Sequence, residues 1–291
     1  MRFENQKKYY KMATTFETRY ASSPQAVKKY DTQELRDEFL IPDLMQPGSI
    51  KFVYTHYDRY MAGGAVPTSE ALTLETIDPL KSENFLDRRE LGIINAGGTG
   101  TIIADGKNYK MLHKDALYLG KGVKEVVFKS DDAKNPAKFY MNSAPAHTSY
   151  PTKQVTKAEA NKIELGSLET ANHRTVNQMI IGGIVTTCQL QMGMTELKTG
   201  SVWNTMPAHV HDRRMEIYYY LDIPKEQAVC HFMGEPQETR HIWMQNDEAV
   251  ISPPWSIHSG SGTSNYTFIW GMAGENLDYN DMDVSKITDL R

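Results

Sequence analysis

Residues 90–109 read Glu90-Leu-Gly-Ile-Ile-Asn-Ala-Gly-Gly-Thr-Gly-Thr-Ile-Ile-Ala-Asp-Gly-Lys-Asn-Tyr109, with isoleucine-rich runs set between glycines and an Asp-Gly pair near the end. β-Branched side chains favour a pleated strand, and Asp105-Gly106 can supply the positive φ angles of a tight hairpin turn. The stretch therefore predicts paired antiparallel strands. From Lys51 onward the same grammar continues, with short Val, Ile, Tyr and Phe runs broken at close intervals by Gly, Asn, Asp and Pro. That pattern indicates an all-β chain with a few short helices.

The second half repeats the plan. Met215 to Leu221 reads as a strand, residues 235–238 as a turn, and Glu248-Ala-Val-Ile-Ser-Pro-Pro-Trp255 echoes Asp115-Ala-Leu-Tyr-Leu-Gly-Lys-Gly122. The expected organisation is an N-terminal arm (1–49) with one short helix between Ala26 and Phe39, a first jelly-roll unit (50–150), a connector (151–178) and a second unit with a polar tail (179–291). Thr156 to Leu165 leans towards helix. Met12 is a second candidate start.

Composition narrows the partners. The chain is 40% hydrophobic and 23% charged, within the range of folded domains. Its 32 basic and 36 acidic residues leave a formal charge of -4 and no bulk positive field, which argues against nucleic acid. No stretch approaches the ~18 apolar residues of a membrane span, and no signal-peptide core is evident. The two cysteines, Cys188 and Cys230, sit in apolar or mixed surroundings that suit reduced, buried thiols. A soluble, cytoplasmic protein is expected.

The chemistry concentrates in Pro207-Ala-His209-Val-His211-Asp-Arg-Arg-Met-Glu216, followed far downstream by Pro253-Pro-Trp-Ser-Ile-His258. Side chains alternate along a strand, so His209 and His211 point the same way. A bend at Asp212 to Arg214 would put Glu216, Tyr218 and Tyr220 on one face of the next strand, opposite the histidine pair. His258 would arrive from a third position. A lone His-x-His is commonly a surface pair; joined to a carboxylate and a third imidazole in a repeated β unit, it suits a divalent metal such as Zn, Fe, Ni or Cu. In the first unit the position matching His258 falls near Lys124 and Glu125, and no His-x-His precedes Glu90, so one metal per chain is expected.

This pattern resembles the metal signature of cupins, and the chain as a whole is similar to the 5-dehydro-4-deoxy-D-glucuronate isomerases, bicupin enzymes of pectin and uronate breakdown. The likeness runs from about Asp31 to Arg291 and is carried by Asp87-Arg-Arg-Glu-Leu-Gly-Ile-Ile-Asn95, Tyr118-Leu-Gly-Lys-Gly122, Pro145-Ala-His-Thr-Ser-Tyr-Pro-Thr-Lys153, Trp203-Asn-Thr-Met-Pro207, Pro236-Gln-Glu-Thr-Arg-His241 and Phe268-Ile-Trp-Gly-Met272. The resemblance implies one Zn2+ held by His209, His211, Glu216 and His258, a homohexamer, and a deoxy-keto-uronate as substrate. The implied reaction is an aldose–ketose shift, in which hydrogen moves from C2 to C1 and charge on oxygen must be stabilised. Four protein ligands alone read as a structural site, so catalysis would require the coordination to expand.

Around the metal, Tyr218 and Tyr220 are candidates for substrate hydrogen bonds. Glu238, Arg240 and His241 offer an acid, a base or a carboxylate clamp, and Arg213, Arg214 and Arg174 are further cationic options. His147 with Tyr150 is family-like without an assigned task. Trp203, Trp255 and Trp270 are expected to pack. Two other functions fit parts of the pattern: a non-haem iron dioxygenase, and a non-catalytic bicupin whose metal staples a barrel.

Overall fold

The computed structural model describes residues 14–275 and 277–291; Met12 lies outside them. The chain opens with β1 (Thr15–Arg19), α1 (Pro24–Val27), α2 (Thr32–Phe39) and β2 (Leu40–Ile41). Ten strands follow: β3 (Ile50–Thr55), β4 (Met61–Ala65), β5 (Leu72–Thr73), β6 (Arg89–Asn95), β7 (Gly100–Ala104), β8 (Lys107–Met111), β9 (Ala116–Leu119), β10 (Val126–Ser130), β11 (Phe139–Pro145) and β12 (Lys153–Val155). The remainder comprises β13 (Asn161–Leu165), β14 (Arg174–Ile180), β15 (Gln191–Leu197), β16 (Trp203–Asn204), β17 (His209–Val210), β18 (Arg214–Leu221), β19 (Val229–Glu235), β20 (Glu238–Met244), β21 (Glu248–Ser252), β22 (Ser259–Gly262), β23 (Thr267–Gly274) and β24 (Asp283–Val284).

Two barrels result. In the first, the sheet β1-β3-β4-β11-β6-β9-β12 is closed by β5-β10-β7-β8; in the second, β13-β14-β15-β23-β18-β21-β2 is closed by β16-β22-β19-β20. Asp105 (φ 45°) and Gly106 (φ 78°) make the expected turn between β7 and β8. The large sheets lie back to back, with Tyr140 of β11 stacked on Tyr219 of β18 at 4.5 Å. Packing there is tight: a Cβ on Gly271 would meet Asn142 Oδ1 at 2.1 Å, so only glycine lets the sheets approach. Glu90, fully buried, accepts from the Tyr118 hydroxyl and from the backbone N–H groups of Cys188, Gln189 and Leu190, each at 2.8 Å. It fastens a loop of the second half to the first.

Three expectations are corrected. The first segment is built into the body of the protein: β1 runs parallel to β3, and β2 covers the edge of the second large sheet beside β21. It holds two helices, of which α2 begins at a capping box between Asp31 and Glu34 and buries Leu35 and Phe39. The stretch 156–165 is not helical; it ends in β13, whose Ile163 pairs with Val176, because a strand edge needed a partner more than the local sequence favoured a helix. Cys188 and Cys230 are free but only half-buried. Among the described residues no helix is long and apolar enough to cross a membrane.

Candidate metal centre

The second barrel gathers its functional side chains at one end. β17 carries His209, and His211 follows on the same side two residues on, its N–H donating to the Pro254 carbonyl at 3.1 Å. On β18, Glu216 pairs with Ser252 of β21 and Met272 of β23, with Tyr218 and Tyr220 alternating onto the same inward face. His258 arrives at the start of β22, after the Pro253-Pro254 turn.

The ligand-type atoms of His209, His211, Glu216 and His258 all lie within 4.8 Å of one another. His258 Nε2 stands 2.8 Å from Glu216 Oε2, His211 Nε2 3.3 Å from the same oxygen, and His258 Nε2 2.9 Å from His209 Nε2. His211, Glu216 and His258 are at most 4% exposed. Close as they stand, neither His211 Nε2 nor Glu216 Oε2 makes a hydrogen bond of acceptable geometry among the described residues. Buried polar atoms left orphaned beside each other are costly unless a cation satisfies them, so this quartet fits a metal ion.

The electrostatics agree. Burial, reinforced by His258, pushes the His209 pKa down to about 2, so its imidazole is neutral and its lone pair free. Burial pushes Glu216 up, but the facing His258 and His211 outweigh it and hold the carboxyl below its usual range. Burial and the nearby Glu216 drive the Tyr218 phenol well above its usual range.

A cavity of about 400 Å³ opens on the cluster, with Tyr218, Phe268, Trp270 and Met272 on its walls. The Tyr218 hydroxyl lies 2.9 Å from that of Thr205, which the backbone holds at φ 48°. Tyr220 instead meets His231 Nδ1 at 2.8 Å in the barrel interior. Trp270 lines the cavity, while Trp203 stacks on Phe232 and Trp255 meets Phe39 edge-on.

Glu238 and Arg240 are not brought to the cluster. They pair with each other at 2.8 Å on β20, and Arg240 Nη2 donates to the Lys28 carbonyl at 2.5 Å. The register of β20 against β19 turns them towards the N-terminal helices. His241 and His147 are exposed. Arg213 pairs with Glu275 in solvent, Arg214 is fully buried, and Arg174 lines the cavity.

Residues 279–284, expected only as part of a polar tail and the stretch before it, supply a wall. Tyr279, Asn280, Met282 and Val284 line the cavity, and β24 pairs with β17 beside the metal-type histidines. No spacing rule links position 283 to position 210, so this wall had no sequence signal.

In the first barrel the residue of β6 paired with the last residue of β9 is Leu91, where the matching pair of the second barrel is Glu216 and Ser252. Leu91 belongs to an apolar core. Among the described residues the one cluster of metal-type ligands is that of the second barrel.

Known proteins bear on this arrangement. A 4-deoxy-L-threo-5-hexosulose-uronate ketol-isomerase of Formosa agariphila is 80% identical over 280 residues, covering 96% of this chain and 100% of that protein. Ketol-isomerases of the same name from Bacteroides thetaiotaomicron (58% over 280 residues, covering 96% and 100%) and Escherichia coli O8 (53% over 266 residues, covering 91% and 96%) are also similar. Among solved structures, an IolB-like protein of Salmonella typhimurium superposes with a TM-score of 0.62 at 15% identity, covering 78% of this chain and 86% of that one. An oxalate decarboxylase of Lactobacillus farciminis superposes at 0.53 and 10% identity, covering 75% and 78%, a likeness of fold alone, that of two cupin-type barrels. The model of the KduI/IolB family matches residues 40–287, from the strand that edges the second sheet to the tail that walls the cavity, and the chain belongs to that family.

Proposed function

We propose that the protein is an aldose–ketose isomerase converting 4-deoxy-L-threo-5-hexosulose uronate, also called 5-dehydro-4-deoxy-D-glucuronate, into 3-deoxy-D-glycero-2,5-hexodiulosonate in uronate breakdown. The observation that carries this reading is the 80% identity to a ketol-isomerase along that protein's whole length. The dioxygenase and the non-catalytic bicupin are not favoured, since the similar full-length relatives are named ketol-isomerases.

In this reading His209, His211, Glu216 and His258 hold one Zn2+, a donor set that suits that ion. A divalent ion held there supplies Lewis-acid stabilisation of charge growing on the substrate oxygens, worth several kcal/mol. The chain's own residues bind and shield the substrate. Tyr218, steadied by Thr205, offers its O–H to a substrate oxygen. Phe268, Trp270 and Met272 form an apolar wall that limits water around the bound substrate. Of Tyr218, Glu238 and Arg240, Tyr218 is the one that reaches this cavity. A cytoplasmic location and a homohexamer complete the proposal.

The test is to incubate purified protein with the ketoaldehyde uronate and follow the product by NMR, with and without chelator. Chelator-sensitive formation of the diketo acid is expected. Oxygen consumption would replace the isomerase by the dioxygenase; inertness towards uronates would leave the binding protein. Elemental analysis and light scattering check the zinc and the hexamer.

A further inference from the structure

A uronate carries a permanent carboxylate at the end of its chain away from the reacting carbonyl, so a cationic group in the cavity apart from the His/Glu cluster would complement it. Four arginines were open on sequence, and the fold separates them. Arg213 is in solvent with Glu275 at 3.0 Å. Arg240 is occupied by Glu238 and the Lys28 carbonyl, away from the cluster. Arg214 lies inside the protein, its guanidinium on Gln191 Oε1 at 3.1 Å and the Asp281 carbonyl at 2.8 Å.

Arg174 differs. It begins β14, and both it and Val176, two residues on, line the cavity, as alternation on a strand requires. Its Nη1 donates to the Asn172 carbonyl at 2.8 Å, which orients the guanidinium. The ionisable groups facing it are the phenols of Tyr218, Tyr266 and Tyr279, and no carboxylate pairs with it among the described residues. Among the described residues no lysine lines the cavity. A half-buried guanidinium without an anion is an incomplete pair, and its planar fork matches a carboxylate in a bidentate fashion.

We infer that Arg174 receives the substrate's carboxylate, fixing which end of the open chain reaches the His/Glu cluster and selecting uronates over neutral sugars. The inference rests on the uronate reading of the site. Its test uses Arg174→Met and Arg174→Lys with full-length protein, zinc content and melting temperature being measured alongside. For the uronate, Arg174→Met is expected to raise KM about 10- to 100-fold, the worth of a charge-assisted hydrogen bond. Arg174→Lys, which keeps the charge and loses the fork, should recover part of this. Towards the analogue with a C6 primary alcohol in place of the carboxylate, Arg174→Met and wild type should have kcat/KM values within about threefold.

A uronate KM within about twofold of wild type in both variants would overturn the assignment. Should wild type fail to isomerise the uronate, the reaction reading falls, and calorimetry with glucuronate decides the site independently. Binding weakened at least about tenfold by Arg174→Lys or Arg174→Met would support the carboxylate site. Equal binding, or none to wild type, would refute it.

Discussion

The Nδ1 of His211 lies 2.7 Å from the backbone carbonyl oxygen of Asp281, 70 residues downstream. A carbonyl can only accept, so Nδ1 carries the hydrogen and Nε2 keeps its lone pair for an ion held by the cluster. Arg214 Nη2 donates to the same oxygen at 2.8 Å, steadying it. The C-terminal segment thus sets the tautomer of a metal-type ligand as well as walling the cavity.

Removing residues 279–291 is therefore expected to weaken metal binding about 10- to 100-fold, the usual cost of losing an outer hydrogen bond to a ligand. Competition against a chelating dye measures it. An affinity equal to that of the full chain would show that the tail does not orient His211.

Loss of a ligand should be more severe. Glu216→Gln neutralises and His258→Ala removes one of four converging donors, and turnover is expected to fall at least about 1000-fold, in proportion to the several kcal/mol the ion supplies. Metal content should fall in parallel. Normal turnover in a variant that elemental analysis finds empty would contradict a metal role.

Glu90 predicts a stability effect without direct contact with the metal-type cluster. Replacement by Gln turns one buried acceptor into a donor facing N–H groups that Cys188, Gln189 and Leu190 direct at the carboxylate. A loss of about 2–3 kcal/mol is expected from urea denaturation, with zinc supplied in excess. A change below about 0.5 kcal/mol would mean that the loop holds without it.

Acid stability tests the contact between barrels. Lys114 of the first barrel reaches Glu196 at 2.9 Å and Asp222 at 2.6 Å in the second. Burial pushes Glu196 up, but Lys157 and Lys114 outweigh it and bring its pKa down to about 2 from 4.5. A depressed carboxyl contributes stability above its unfolded pKa and loses it as pH falls towards its folded one. Glu196→Gln should thus be less stable than wild type at pH 7, and the gap should narrow from about pH 4.5 down towards 2. A gap that stays constant over this range would assign the loss to packing.

Local rules reached far into this fold. Asp105 and Gly106 make their turn because few residue types tolerate positive φ. His209 and His211 share a side because strand alternation is a period-two property written in the chain, whereas Glu216 reaches them from a separate strand. Thr156 to Leu165 misled because its local helix preference is worth little against an unpaired sheet edge. The N-terminal segment misled likewise: it is polar overall, but Leu35, Phe39 and Ile41 are buried where it crosses to the second barrel.

What the amino-acid order determined by itself was the β architecture, its duplication and the residue types able to hold a metal, since each depends on periodicity or on chemistry within a few neighbours. Which arginine faces the cavity, what fixes the His211 tautomer, and that Glu238 and Arg240 turn away were decided only in three dimensions. Those outcomes depend on pairings between segments tens to hundreds of residues apart, and long-range register is a collective result of packing that no local pattern encodes.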